Sequence, residues 1–355
     1  MGVIRDNHYV PRTYLKRWEG PGRRVWVYRT LVPHASVHVW KARSVKGIAY
    51  HEHLYTQTAH GAECDTVEKW LADHVDGPSE PALAKVANEE NLTPKDWNTL
   101  LRFFAASYSR TPAYYFRRRP IWDRDLPAVI EGSLKKTIDA ALSGTASKPQ
   151  APQEGPHTER FEIPAGFRLR ENPSGKGGLI EARVLMGRGL WFFEMKRIVE
   201  HTWKGLRPLH WTILRPPDGK LWLTSDDPAV VAHISAQGDV TFDGRWNVPG
   251  TVLLLPLSPE HVLYGRPEKP LPHKYTEASA ADAEFIRNCL VHHAHRMIFA
   301  REQDDWVPTV RQRTEDARKY EHEQSELSKW HTSHTKGETD LEDESTWPTP
   351  DSGPQ

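Results

Sequence analysis

Cysteine is almost absent from this chain: its 355 residues include two, Cys64 and Cys289. Two thiols so far apart form neither a metal knuckle nor a disulfide framework, and they suit a reducing cytoplasm. No apolar run follows the basic start, so no signal peptide is expected, and no window approaches the length of a bilayer span, so no membrane partner is expected either. Charge of one sign is not in excess, with 47 basic and 47 acidic side chains. Net charge therefore does not point to nucleic acid, which stays open as a partner only through local patches. Arg117-Arg118-Arg119 is such a patch, and it reads first as a solvated helix end near the negative pole of the dipole. A glycine-rich phosphate loop is missing, since Ser174-Gly175-Lys176-Gly177-Gly178 lacks the spacing. No Gly-x-Ser-x-Gly elbow is present, which leaves an α/β-hydrolase serine without a seat.

What the chain does have is patterning. The 14 tryptophans are scattered, as core and hairpin residues are, rather than gathered in a binding stripe. Val25-Trp26-Val27-Tyr28 and Val37-His38-Val39-Trp40 read as short strands. Helical spacing of Val67, Trp70, Leu71 and Val75 predicts a helix over residues 65–74, ended by Gly77-Pro78-Ser79. A second helix follows, with Ser79 as its N-cap and Glu80 in its first turn. Thr93-Pro94-Lys95-Asp96 signals a third, running to Ser109 and stopping or kinking at Arg110-Thr111-Pro112. Residues 144–160, rich in Ser, Pro, Gly and Gln, read as a flexible insertion. Residues 191–203 are helical in pattern. Trp211-Thr212-Ile213-Leu214 and Leu221-Trp222-Leu223-Thr224 flank the turn signal Pro216-Pro217-Asp218-Gly219 and predict a hairpin. Strands at 251–255, 262–264 and 297–300 and a helix at 279–295 complete the pattern. The expected fold is α+β: an antiparallel sheet formed from the N- and C-terminal parts, with a central helical segment. Residues 1–310 make one domain. Residues 311–355, nearly free of aliphatic side chains, make a disordered or loosely helical tail.

Several groups could carry chemistry. The packet Asn7-His8-Tyr9-Val10-Pro11, with Tyr14, Leu15 and Trp18 behind it, puts a near-neutral base and an orienting amide side by side. Glu68 and Glu80 fall on successive helices, where paired carboxylates hold a divalent metal or divide acid and base roles, or simply face water. Arg110 could clamp a phosphate with its planar fork, or bridge Glu68 or Glu80. Asp226, in Ser225-Asp226-Asp227-Pro228, is a metal ligand or an Asx-type turn. Asn288, His292 and His295 share one helix face without the acid of a zinc protease motif, so these histidines read as surface residues. His51-Glu52-His53 and His60 read first as residues of an irregular stretch, metal binding being the lesser alternative.

These segments, taken in order, resemble a known family. Asn7-His8-Tyr9-Val10-Pro11-Arg12, Glu68-x-x-Leu71 with Glu80, Arg110-Thr111-Pro112, Thr224-Ser225-Asp226-Asp227-Pro228, Leu255-Pro256-Leu257-Ser258-Pro259 and Asn288 before Ala294-x-Arg296-x-Ile298 are similar to the bacterial domain-of-unknown-function 4238 family. The resemblance supplies candidate residues and no activity. The residue types suit a metal-dependent hydrolase of nuclease or phosphoesterase type, with His8, Glu68, Glu80, Arg110 and Asp226 catalytic, Asn7, Tyr9 and Asn288 on the substrate, and a divalent metal of open identity. The alternative is a non-catalytic binding or interaction protein in which the same motifs are structural. Convergence discriminates the two. A hydrolase brings these side chains together in an open cleft, with His8 in reach of Glu68 or Glu80, whereas a frame buries them in pairs.

Overall fold

A computed structural model of the protein describes residues 3–59, 62–143, 165–171, 178–268 and 270–342. The insertion expected at 144–160, His60 and residues 343–355 of the expected tail lie outside these residues. The fold is α+β. Its organising element is a four-stranded antiparallel sheet in the order Thr224–Ser225, Met297–Ala300, Val25–Arg29, Trp40–Arg43. Two strands come from each end of the chain, as the sequence predicts. The partner of Val25–Arg29 lies a few residues later than Val37-His38-Val39-Trp40 suggested.

A six-stranded sheet is built from the later part of the chain, and its longest members are His210–Arg215, Thr251–Ser258 and His261–Arg266. The predicted hairpin does not form. The turn itself is there: the Lys220 N–H donates to the Pro217 carbonyl at 3.0 Å, and Gly219 takes a positive φ. Its two arms then part. His210–Arg215 pairs with His261–Arg266, while Thr224–Ser225 joins the other sheet. Trp222 explains the parting. Its backbone N–H donates to the Pro259 carbonyl at 2.7 Å, and its fully buried indole donates to the Leu214 carbonyl at 3.2 Å, so it stitches the sheets rather than continuing a strand.

The central helical segment holds the expected helices with one difference. Thr66–Leu71 does not stop at Gly77-Pro78-Ser79 but passes through a π-helical turn, Ala72–Asp76, straight into Gly77–Ala87. Pro78 sits in the first turn of that helix, where its missing N–H costs least. Ser79 is not an N-cap; its hydroxyl donates back to the Val75 carbonyl at 2.6 Å. Pro94–Ser109 opens at the predicted start signal, where Thr93 and Asp96 form a capping box. The Asp96 N–H donates to Thr93 Oγ1 at 3.2 Å, and the Thr93 N–H to Asp96 Oδ2 at 2.8 Å. After the break at Arg110-Thr111 the chain resumes as Pro112–Leu142, a long helix with Tyr114, Tyr115 and Trp122 buried near its start.

Tyr14, Leu15 and Trp18 belong to the main core. The Tyr14 hydroxyl donates to the Pro256 carbonyl at 2.7 Å, and the Trp18 indole to the Trp222 carbonyl at 3.2 Å, which ties the N-terminal packet to both sheets. The segment after Arg311 was expected to be disordered or loosely helical. It forms the helices Ala317–Ser328 and Trp330–Glu342, and Trp330 is 5% exposed within the main core. A large aromatic helps to anchor what aliphatic content alone would leave loose. Among the described residues no helix is long and apolar enough to cross a membrane.

Candidate functional site

The strand Asp6–His8 pairs antiparallel with Tyr50–Glu52, Asn7 opposite His51. Successive side chains of a strand point to opposite faces, so Asn7 and His8 cannot share a site. Asn7 turns inward and is fully buried. Its Oδ1 accepts the Tyr55 N–H at 3.0 Å, and its Nδ2 donates to the Ile4 carbonyl at 3.3 Å and to Glu68 Oε2 at 3.4 Å. His8 turns the other way, its ring 5.5 Å from that of Tyr50. Burial and then Arg12 push its imidazole below the usual range. Among the described residues the imidazole bonds neither Glu68 nor Glu80, contrary to expectation. What His8 contributes inward is its carbonyl.

That carbonyl accepts Arg110 Nη2 at 3.1 Å, while Arg110 Nη1 lies 2.7 Å from Asp76 Oδ1. Arg110 is 1% exposed and caps the C-terminus of Pro94–Ser109; its own carbonyl accepts the Tyr55 hydroxyl at 2.5 Å. The sequence offered Glu68 or Glu80 as its ion-pair partner. The π turn instead delivers Asp76, which the sequence reading missed and which no spacing rule marks. Glu68 stands near enough to feel Arg110 without bonding it. Burial raises the Glu68 carboxyl to about 7, with Arg110 pulling against that and Asp76 adding to it. Glu80 is elsewhere, part-exposed and paired with Arg17 at 3.2 Å.

Asp226 and Asp227 alternate like Asn7 and His8. Both oxygens of Asp226 accept backbone N–H groups, His295 to Oδ1 at 3.0 Å and Arg296 to Oδ2 at 2.8 Å. Burial pushes its carboxyl up to about 7, opposed by the Arg296 N–H and helped by Asp227. Burial acts on Asp227 too, but His293 and Arg117 outweigh it and hold the group below the usual range. Asp227 pairs with Arg117 and accepts the Thr111 hydroxyl at 3.0 Å. Arg117, read as a solvated helix end, is thus part of the seam between the long helix and the sheet. Asn288 joins none of these groups; its amide donates to the Glu284 carbonyl one turn back, at 3.0 Å.

An open cleft of about 910 Å³ lies between the N-terminal packet, the strand Met297–Ala300 and the helix Ala317–Ser328. Of the residues expected to be catalytic or substrate-binding, Tyr9 and Asp226 reach its wall. Tyr50 and Phe116 present their rings there, 42% and 41% exposed. Arg296 is held by both carboxylate oxygens of Glu323, at 2.7 and 2.6 Å. His295 is pushed down to about 4 by burial and then by Arg296.

Among the described residues one group of side chains has metal-ligand composition: His53, Glu63 and His331, with ligand atoms within 4.8 Å of one another. The histidine rings stack at 4.3 Å, and His331 Nε2 lies 3.3 Å from Glu63. Arg188 Nη1 lies 3.0 Å from His331 Nδ1. A guanidinium only donates, so Nδ1 must accept and Nε2 carries the proton toward Glu63. That tautomer suits a hydrogen-bonded clamp better than a cation site. Of the described residues in the stretch where metal binding was the lesser alternative, His53 is the one in this group.

The family model DUF4238, described as a protein of unknown function, matches residues 6–304. No curated protein and no solved structure matches the chain.

Proposed function

The chain belongs to the DUF4238 family, a membership that carries no activity with it, and from its geometry we propose a non-catalytic binding protein of the reducing cytoplasm. Its motif residues are the frame, and the open cleft is the ligand site. One observation carries this reading: the side chains of Asn7, Glu68, Glu80, Arg110 and Asp226 are each engaged by a protein partner. Asn7 holds Glu68, Asp76 holds Arg110, Arg17 holds Glu80, and two backbone N–H groups hold Asp226. A hydrolytic centre needs such groups converging on one point with free valences. The thiols take no part; Cys289 is buried and raised to about 12.

The second reading is the metal-dependent nuclease or phosphoesterase. It is favoured only by the composition of the His53, Glu63 and His331 group, against which the Arg188 contact speaks. The test is paired. Wild-type protein with Mg²⁺, Mn²⁺ or Zn²⁺ should turn over neither an aryl phosphate nor DNA or RNA oligonucleotides. Arg110→Ala, which strands Asp76 and the His8 carbonyl, should cost about 3–5 kcal/mol in thermal unfolding. Turnover lost in Glu68→Gln or Asp226→Asn without a matching loss of stability would overturn the frame reading.

A further inference from the structure

The cleft has a second, narrower compartment of about 360 Å³, and Arg29, Gly47, Ile48, Met297 and Tyr320 line both. The wall of the narrow end is one face of the four-stranded sheet. Lys41 stands opposite Val27 and Arg43 opposite Val25, and Arg29 is two residues on from Val27. Strand alternation therefore puts Arg29, Lys41 and Arg43 on the same face, Arg29 diagonal to Lys41. Like charges so placed repel, and a protein usually sets an acid among them. Here no Asp or Glu lines the compartment, and among the described residues none of the three cations has a carboxylate partner. Other arginines of the chain show the contrast. Arg296 is closed off by Glu323, Arg301 by Glu260 and Arg118 by Glu194. Among the described residues the one side-chain hydrogen bond of the trio is Arg29 Nη1 to the Tyr320 hydroxyl, at 3.3 Å. The wide end differs in character. It holds the exposed faces of Tyr50 and Phe116, each backed by a histidine ring, His8 and His295.

We propose that this cleft binds a nucleoside phosphate, with the phosphates against Arg29, Lys41 and Arg43 in the narrow end and the base against Tyr50 or Phe116 in the wide end. Three uncompensated cations match the multiple negative charge of a phosphate chain, and arginine forks match its oxygens. A flat ring stacks on an exposed aromatic face without needing base-specific hydrogen bonds. The inference rests on the cleft being the ligand site, and it adds the chemistry of the ligand.

The test is titration calorimetry on the full chain with ATP, AMP, inorganic pyrophosphate, adenosine, citrate and a short single-stranded oligonucleotide. ATP should bind, and more tightly than AMP; adenosine and citrate should not compete with it. The double variant Lys41→Ala/Arg43→Ala should weaken ATP at least tenfold with no fall in melting temperature, since it removes two like charges and no partner. Phe116→Ala combined with Tyr50→Ala should weaken ATP several-fold and leave pyrophosphate unchanged. Wild-type affinity should fall as salt rises. The proposal is overturned if citrate binds as well as ATP, if the double variant binds ATP unchanged, or if the oligonucleotide displaces ATP at far lower concentration, which would make the cleft a strand-binding groove. Failure of this inference and of the frame reading are separable. ATP that binds but is hydrolysed sinks the non-catalytic reading and leaves the site. No nucleotide binding, with Arg110→Ala still destabilising, sinks the site and leaves the frame.

Discussion

At the scale of single residues the two perturbed carboxyls, Glu68 and Asp226, carry the clearest consequences. Both are raised to about 7 by burial, well above an unfolded carboxyl. The sign follows from linkage. Below the unfolded value both states hold the proton, and the full contribution is present; as pH rises toward 7 the unfolded chain releases a proton that the fold retains, and stability falls. His295, pushed down to about 4, works in the opposite sense, its contribution present above the unfolded imidazole value and lost as pH falls toward 4. The windows overlap, so wild-type melting alone does not separate them. Glu68→Gln does. It keeps an acceptor for Asn7 and removes the ionisation, so its melting temperature relative to wild type should rise between pH 5 and pH 8. A difference that stays flat or falls would show that Glu68 is ionised without strain. Asp226→Asn tests the neighbouring claim. Asparagine has one acceptor oxygen where two backbone N–H groups need one each, so one is left unpaired at a cost of about 1–3 kcal/mol. Urea unfolding of the variant measures it; a neutral result would mean that solvent reaches the His295 or Arg296 amide.

At the scale of elements, what could be read from the sequence followed from local chemistry. The capping box at Thr93 and Asp96, the helix break at Arg110-Thr111-Pro112 and the strand at 297–300 are all fixed by residues within a few positions of one another. Thr93→Ala removes the hydroxyl that accepts the Asp96 N–H and should cost about 0.5–2 kcal/mol, read from the denaturation midpoint; no shift would mean that Lys85, 2.8 Å from Asp96, holds the helix start unaided. Where the reading failed, a partner distant in sequence decided. Pro216-Pro217-Asp218-Gly219 turns as its residues dictate, yet Trp222 carries the following arm to another sheet. Gly77-Pro78-Ser79 looks like a stop, yet a π turn carries the helix through it and sets Asp76 on Arg110. The site shows the same division. Asn7, Arg110 and Asp226 were marked as residues that matter, but their partners Tyr55, Asp76 and the His295 and Arg296 amides were not. Strand alternation was in principle available for Asn7 and His8, and it separates them. Lys41-x-Arg43 was likewise within reach, and was missed because the strand starts at Trp40 rather than ending there.

At the scale of the whole molecule the question is what the C-terminal helices do. By composition alone residues beyond Arg311 would be removable without loss, since ordering costs roughly 1–2 kcal/mol per residue and little apolar surface is there to offset it. Two contacts outweigh that average. Trp330 sits against Tyr115 and Trp191, ring centroids 4.9 and 6.0 Å away, and its indole donates to the Leu54 carbonyl at 3.2 Å. Arg188, fully buried at the start of the helix Arg188–Glu200, bonds Glu338 through both carboxylate oxygens at 2.8 and 2.6 Å and the Thr335 hydroxyl at 3.0 Å. The body thus contains a cation whose counter-charge is supplied by the tail. Truncation after Arg311 should leave that charge unpaired and open the seat of Trp330, and loss of the buried pair alone should cost about 3–5 kcal/mol. Trp330→Ala in the full chain should cost a comparable 3–5 kcal/mol or so by the cavity it leaves. Arg188→Met in the truncated chain should restore part of the loss, because it removes the charge that the tail neutralised. Thermal unfolding of the three variants decides the matter. A truncated chain that melts with wild type would show the helices to be riders on the surface. It would also remove the wall that Tyr320 gives the cleft, so its nucleotide affinity would then report whether the tail serves the ligand or only the fold.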